Sequence, residues 1–164
     1  MRKVIGEFEC KLDAKGRFRI PTNLLSKYEE GMEFVINRGF EKCLNLYPRP
    51  AWEEVEAGME SLNSLNKKNR QFIRYMYRGA SEVKPDASDR ILLSKVQMEH
   101  ASIEKEIILF AVKNYIEIWD KELYKKEMDK DPEGVDGISD LSDEMAAKMD
   151  AAKERRQNPN PPTA

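Results

Sequence analysis

The chain has 164 residues and a mass of 19.1 kDa, enough for one ordinary domain or for two small ones that share a core. Its 40% apolar and 35% charged residues exclude an intrinsically disordered chain, and no apolar run approaches the ~20 residues that span a bilayer. The formal net charge of −2 argues mildly against a nucleic-acid partner until its distribution is read. Up to Tyr28 the cations Arg2, Lys3, Lys11, Lys15, Arg17, Arg19 and Lys27 outnumber the acids Glu7, Glu9 and Asp13. Between Ser61 and Gly79 stand Lys67, Lys68, Arg70, Arg74 and Arg78 with no acid. Segregation of this kind permits a local basic face, although the second cluster reads equally well as a solvated helix.

Met1 to Glu7 lacks the apolar stretch of a secretory signal. Cys10 and Cys43 lack paired spacing and are expected to be buried thiols of a reducing cytosol. Glu7 to Leu12 alternates apolar and polar residues, which predicts a half-buried strand. Asp13-Ala14-Lys15-Gly16 suits a type I turn, with Asp accepting backbone N–H groups and Gly supplying a positive φ. A strand over Phe18 to Ile20 follows, and Pro21 opens a short helix over Asn23 to Tyr28. Strands over Glu33 to Asn37 and Cys43 to Tyr47 flank a turn at Arg38-Gly39-Phe40. Pro50 introduces a helix whose stripe is Ala51, Val55, Met59 and Leu62. A basic helix over Lys67 to Tyr77 takes Leu65, Phe72, Ile73, Met76 and Tyr77 as its apolar side, with Gly79 ending it.

The pattern then starts again. Asp86-Ala87-Ser88-Asp89-Arg90 repeats Asp13-Ala14-Lys15-Gly16-Arg17 at an offset of 73 residues. A strand over Ile91 to Leu93 and a Ser94-capped helix over Lys95 to His100 follow. Glu106 to Lys113 is a continuous apolar run, which suggests a strand covered on both faces. Tyr115 to Trp119 matches Cys43 to Tyr47, and Asp120 caps a helix with Leu123 and Met128. Beyond Asp131-Pro132 the chain is acidic, with a weak helix through Leu141, Met145 and Met149, and a Pro-rich tail expected to be disordered. Three segments result: residues 1–79, 80–131 and 132–164.

One such unit has too few strands and too little core to stand alone. Two units intertwined would bury both apolar faces and pair the two turns about an approximate two-fold axis. The pair would form a β-ribbon carrying Lys15, Arg17, Arg19 and Arg90. Such ribbons fit the DNA major groove, and Arg offers bidentate contacts to guanine or phosphate. The competing structural reading has Asp13 and Asp86 capping the turns and each Arg pairing with a nearby carboxylate. Against it, exposed turn cations such as Lys15 and Arg17 have little structural work to do.

Leu12 to Pro21, Leu44-Asn45-Leu46-Tyr47-Pro48 with Trp52, Gly79-Ala80-Ser81-Glu82, Asp86 to Arg90 and Glu117-Ile118-Trp119-Asp120 together resemble the MraZ family, tandem members of the SpoVT-AbrB superfamily. The resemblance spans roughly residues 1–143. It implies an α+β fold with a swapped-hairpin β-barrel built by both halves and flanked by helices. It implies a ring-shaped homo-oligomer that binds double-stranded DNA at direct promoter repeats, in the cytoplasm at the nucleoid. It further implies a repressor of its own operon, at the head of the bacterial division and cell-wall cluster. The DNA-contacting positions it carries over are chiefly Lys15 and Arg17, with Arg90 as weaker support; Gly16 serves the turn. Arg2, Lys3 and Arg19 join them on electrostatic grounds. The chain departs from the family at Asp89, where Gly is usual, and at Ser94, where Pro is frequent. Asp in the left-handed region costs on the order of 1 kcal/mol relative to Gly. The first motif is therefore expected to dominate DNA contact.

Nothing in the sequence points to an enzyme, a cofactor, a metal, a small-molecule substrate or a membrane. His100 is the sole histidine and is expected at the surface, and there is no Gly-rich phosphate loop or metal-ligand spacing. Trp52 and Trp119 follow apolar strands and suit packing more than base stacking. The rival readings are an AbrB-type antitoxin, which the tandem duplication and short acidic tail count against, and a ring-forming scaffold that does not bind DNA.

Overall fold

The structure is a computed structural model that describes the backbone of residues 3–130 and 138–157, and the side chains of residues 3–130 and 143–157. The chain divides into two compact units, Met1–Lys125 and Lys126–Ala164. Among the described residues, the first carries eight strands: β1 (Glu7–Lys11), β2 (Arg17–Arg19), β3 (Phe34–Arg38), β4 (Leu44–Pro48), β5 (Ser81–Val83), β6 (Arg90–Leu92), β7 (Glu106–Val112) and β8 (Tyr115–Asp120). The helices are α1 (Thr22–Leu25), α2 (Arg49–Glu60), α3 (Lys67–Tyr77), α4 (Lys95–His100), α5 (Lys121–Met128) and, in the second unit, α6 (Ile138–Gln157). The fold is mixed α+β with antiparallel strands.

Local chemistry sets the helix boundaries. The Asn66 side chain accepts the backbone N–H groups of Lys68 and Asn69 and starts α3. Ser94 and Gln97 form a reciprocal capping box at α4. Asp120 accepts from Glu122 and Leu123 and starts α5. Pro21 is the N-cap of α1 rather than a residue of its first turn.

Six strands make one sheet in the order β1-β7-β8-β4-β3-β5, and β2 pairs with β6 in a separate ribbon. Each outer strand pairs with the other repeat. Cys10 of β1 faces Ile107 of β7, and Val83 of β5 faces Phe34 of β3. Cys10 and Val83 are counterparts at the 73-residue offset, and so are Phe34 and Ile107, so the two swaps are equivalent. Two pairings join a residue to its own counterpart: Phe18 with Ile91 in the ribbon, and Asn45 with Glu117 between β4 and β8. The pseudo-two-fold axis passes through both pairs. Interleaving of this kind leaves neither repeat with a core of its own.

The main core lies between the ribbon and one face of the sheet. Phe18 and Ile91 from the ribbon meet Phe34, Ile36, Leu44, Leu46, Ile107, Leu109, Ile116 and Ile118. The opposite sheet face is covered by helices. Val35 and Tyr47 pack with Ala51, Trp52, Met59 and Met76 of α2 and α3, while Cys43, Ile108 and Trp119 pack with Tyr124 of α5. β7 is therefore covered on both faces, as its unbroken apolar run predicts.

Two expectations need correction, and one strand goes beyond them. In α3 the buried side is Met76 with half-buried Ile73 and Tyr75; Leu65 precedes the helix and Phe72 and Tyr77 are exposed. The tertiary contact that decides this is Tyr75, whose hydroxyl donates to the Gly39 carbonyl and whose ring stacks on Phe40. His100 is half-buried rather than at the surface, and its Nε2 has no hydrogen-bond partner among the described residues. Ser81 to Val83 forms a strand that its polar sequence does not announce; it exists because β3 offers it an edge. In the second unit the weak helix is α6, with Met145 and Met149 exposed. The Pro-rich tail over residues 158–164 lies outside the described residues.

Candidate nucleic-acid interface

The two repeated turns are built bond for bond alike. In the first, Gly16 N–H donates to the Asp13 carbonyl and Asp13 N–H to the Arg17 carbonyl. Asp13 Oδ1 accepts the backbone N–H groups of Lys15 and Arg17, both at 2.9 Å, and its Oδ2 accepts Arg17 Nε at 2.7 Å. In the second, Asp89 and Asp86 make the same backbone bonds. Asp86 Oδ1 accepts from Ser88 and Arg90, and its Oδ2 takes Arg90 Nε at 2.9 Å. The backbone N–H of Arg17 is the chief reason that the Asp13 carboxyl lies below its ordinary range, helped by the Arg17 side chain and the Lys15 N–H. Asp86 is lowered in the same way, first by the Arg90 backbone N–H. Each carboxylate is thus kept ionised to orient its Arg.

The Asp residues cap the turns, and each Arg pairs with its Asp. Arg17 therefore does have structural work, which corrects the view of it as an idle turn cation. The pairing uses only Nε. The remaining guanidinium nitrogens of Arg17 and Arg90 have no partner among the described residues, so a planar pair of donors stays available on a fixed mount.

The turns are tied to each other. Leu93 N–H donates to the Gly16 carbonyl and Ile20 N–H to the Asp89 carbonyl, both at 2.9 Å. Between them, β2 and β6 alternate. Phe18 and Ile91 point inward, each 1% exposed, and Arg17, Arg19, Arg90 and Leu92 point outward. Arg19 lies directly opposite Arg90, and Arg17 opposite Leu92. The structure therefore gathers Arg17, Arg19 and Arg90 on one face, with Lys15 exposed at the tip of the adjoining turn. Lys3 is exposed but among the described residues makes no ion pair or hydrogen bond that brings it to the ribbon, and Arg2 lies outside the described residues.

The copies differ at the positions that carry charge. Lys15 is matched by Ser88, Gly16 by Asp89 and Arg19 by Leu92. A groove lies beneath each turn. Lys15, Lys95 and Lys105 line the first alongside Asp13 and Glu104, whereas Glu29, Glu30, Asp86 and Asp89 line the second alongside Lys84. Gly16 has φ 82° and Asp89 φ 60°, both left-handed. A Cβ at Gly16 would also meet the Leu93 carbonyl and Met98 Sδ, each at 3.3 Å. Asp89→Gly is expected to stabilise the chain by up to about 1 kcal/mol and to tighten DNA binding at low salt. Urea unfolding and a binding titration check both halves; a destabilised variant would mean that the Asp89 side chain is needed in its turn.

The basic cluster of α3 belongs to the helix-covered face of the sheet, opposite the ribbon. Among the described residues, Glu41, Cys43 and Glu117 form the one group with metal-ligand atoms close together, within 4.8 Å. Cys43 there donates to Glu117 at 3.5 Å and sits in the core beneath α5, remote from the ribbon's outward face. Burial pushes the Cys10 thiol up to about 11, which keeps it unreactive. No described helix is long and apolar enough to cross a membrane.

The model of the MraZ protein family, described as antitoxin-like, matches the chain twice, over residues 4–75 and 76–135. The chain belongs to the MraZ family. A protein of Christiangramia forsetii named transcriptional regulator MraZ is 39% identical over 92% of this chain and 97% of its own length. Namesakes from Lactobacillus delbrueckii subsp. bulgaricus and Pediococcus pentosaceus are 38% and 36% identical, over 86% and 83% of this chain and 97% and 94% of theirs. The two stretches matched in this MraZ-family chain are the two halves that the strand pairing interleaves.

Proposed function

We propose that this chain is a transcriptional regulator, as its relatives are named, that it acts by binding DNA, and that the β2–β6 ribbon is its reading head. The observation that carries the proposal is the cross-repeat pairing that sets Arg17, Arg19 and Arg90 on one outward face. A two-stranded ribbon enters a major groove, and turn-anchored guanidinium groups supply bidentate donors there. Lys15 extends the contact to phosphate, and the first motif leads because the second has lost two cations and gained an acid. Arg2 and Lys3 add attraction without base reading.

On this reading the target is a set of direct repeats in the promoter of its own division and cell-wall operon, and binding represses. Residues 1–79 and 80–131 are the two repeats, and residues 132–164 an appendage. The sheet and ribbon together make the swapped-hairpin barrel of the superfamily, and copies assemble head to tail into a ring. Each ring subunit would then read one repeat.

A mobility-shift titration against DNA upstream of its own reading frame tests the proposal. Binding is expected, and log K should fall linearly with log salt at a slope near −0.9 per phosphate neutralised. Absence of binding at low salt would favour the scaffold; salt-insensitive binding would exclude cation–phosphate contact.

A further inference from the structure

We infer that Leu92 reads the C5-methyl group of a thymine in the DNA major groove; this rests on the ribbon being the DNA-contacting surface. Among the described residues, Leu92 is the only apolar side chain on the ribbon's outward face. Its neighbours alternate as a strand requires: Ile91 inward, Arg90 and Leu92 outward. It is 55% exposed and belongs to none of the three buried clusters. The fold therefore has no use for a leucine there, and the equivalent position in the first repeat is Arg19.

Its neighbours on the ribbon's outward face are three arginines. Arg17 lies directly across the ribbon, Arg90 two residues along the same strand, and Arg19 across from Arg90. Strand geometry puts directly paired side chains about 5 Å apart and diagonal ones about 7–8 Å. When these arginines engage phosphates and base edges, Leu92 faces the groove floor beside them. Thymine is the standard base that presents a methyl there, and apolar side chains recognise it by contact. 5-Methylcytosine carries the same C5-methyl chemistry, and the two sources are separable. A protein partner fits this patch less well, because docking would have to desolvate three arginines beside one leucine.

The substitution also gives the ribbon polarity. Its backbone obeys the pseudo-two-fold axis through Phe18 and Ile91, whereas its outward side chains do not: Arg17 and Arg90 correspond, but Arg19 and Leu92 differ. A symmetric ribbon would suit a palindrome. This one distinguishes the two directions along the duplex, which suits repeats that all run the same way.

The test is a thymine-to-deoxyuridine scan across one bound repeat of the upstream duplex, comparing the wild-type chain with Leu92→Ala. Loss of one buried methyl is worth about a fourfold change in affinity. One thymine position is expected to weaken wild-type binding about fourfold when its methyl is removed, and to leave Leu92→Ala indifferent. A duplex with 5-methylcytosine at that position tells whether the methyl alone is read; binding restored toward the thymine level supports the inference. Leu92→Lys should bind tighter overall, steepen the salt slope by about one phosphate and lose the deoxyuridine effect. The inference falls if no deoxyuridine weakens the wild type while the unmodified duplex still binds, or if wild type and Leu92→Ala respond alike. If the wild type binds neither duplex at low salt, the DNA reading itself has failed and takes this one with it.

Discussion

Arg17→Ala is expected to weaken binding to the upstream duplex by roughly 10- to 100-fold, the worth of one bidentate contact, and Arg90→Ala by less. The two side chains sit in the same geometry, each anchored through Nε to an Asp four residues back. The difference lies in what surrounds them. Lys15 and Arg19 reinforce Arg17, and the groove beneath its turn contains Lys95 and Lys105. Arg90 has Ser88 and Leu92 at the corresponding places and Asp89, Glu29 and Glu30 nearby. Acids at this range lower the potential that a phosphate meets. Arg17→Lys should not restore full affinity, because one ammonium cannot hold Asp13 and present a planar fork as well. Removing Arg17 also leaves the Asp13 charge uncompensated. The double variant Asp13→Asn/Arg17→Ala separates that repulsion from the lost contact. Dissociation constants measured across a salt series decide the ranking, and a larger loss for Arg90→Ala would reverse it.

Phe18→Ala is expected to destabilise the chain by about 3–5 kcal/mol, the usual effect of emptying a buried aromatic site. Phe18 is one of the largest fully buried side chains and lies on the pseudo-two-fold axis, paired with Ile91. It holds the ribbon on the sheet from one repeat as Ile91 does from the other. Ile91→Ala should cost about 2–5 kcal/mol, and the double variant less than the sum, because the two residues share one cavity. Urea unfolding with unchanged slope is the measurement. A loss below about 1 kcal/mol for Phe18→Ala would mean that the ribbon is not clamped to the core. The same variant should lose DNA binding before it loses global structure, since the outward arginines depend on the ribbon's inner face for their placement.

Several elements were legible in the chain alone, for physical reasons that act locally. The turn at Asp13 to Arg17 is written in its residues, because Asp can accept nearby N–H groups and Gly16 takes the left-handed φ. The helix of Lys95 to His100 is fixed by Ser94 and Gln97. β7 shows as a run of apolar residues because both of its faces are buried. The repeat itself identified Arg17 and Arg90 as counterparts. The polar strand Ser81–Val83 and the exposed Phe72 of α3 were not legible, because each depends on a surface supplied from far along the chain: the edge of β3, and the packing of Tyr75 against the Gly39 turn.

For the candidate interface the division is sharper. Composition and spacing determined which cations cluster in sequence, and that the second motif had lost its glycine. They could not show that Leu92 faces outward, because Ile91, Leu92 and Leu93 form one apolar run in which a single-residue shift of register exchanges the faces. Only the pairing of Phe18 with Ile91 settles that register. Pairing across the repeats also decides that Arg90 shares one face with Arg17 and Arg19, which lie far from it in sequence. Local sequence specifies turns and caps because their hydrogen bonds close within a few residues. A shared face across two repeats is a non-local property, fixed when two incomplete cores can be buried only in each other.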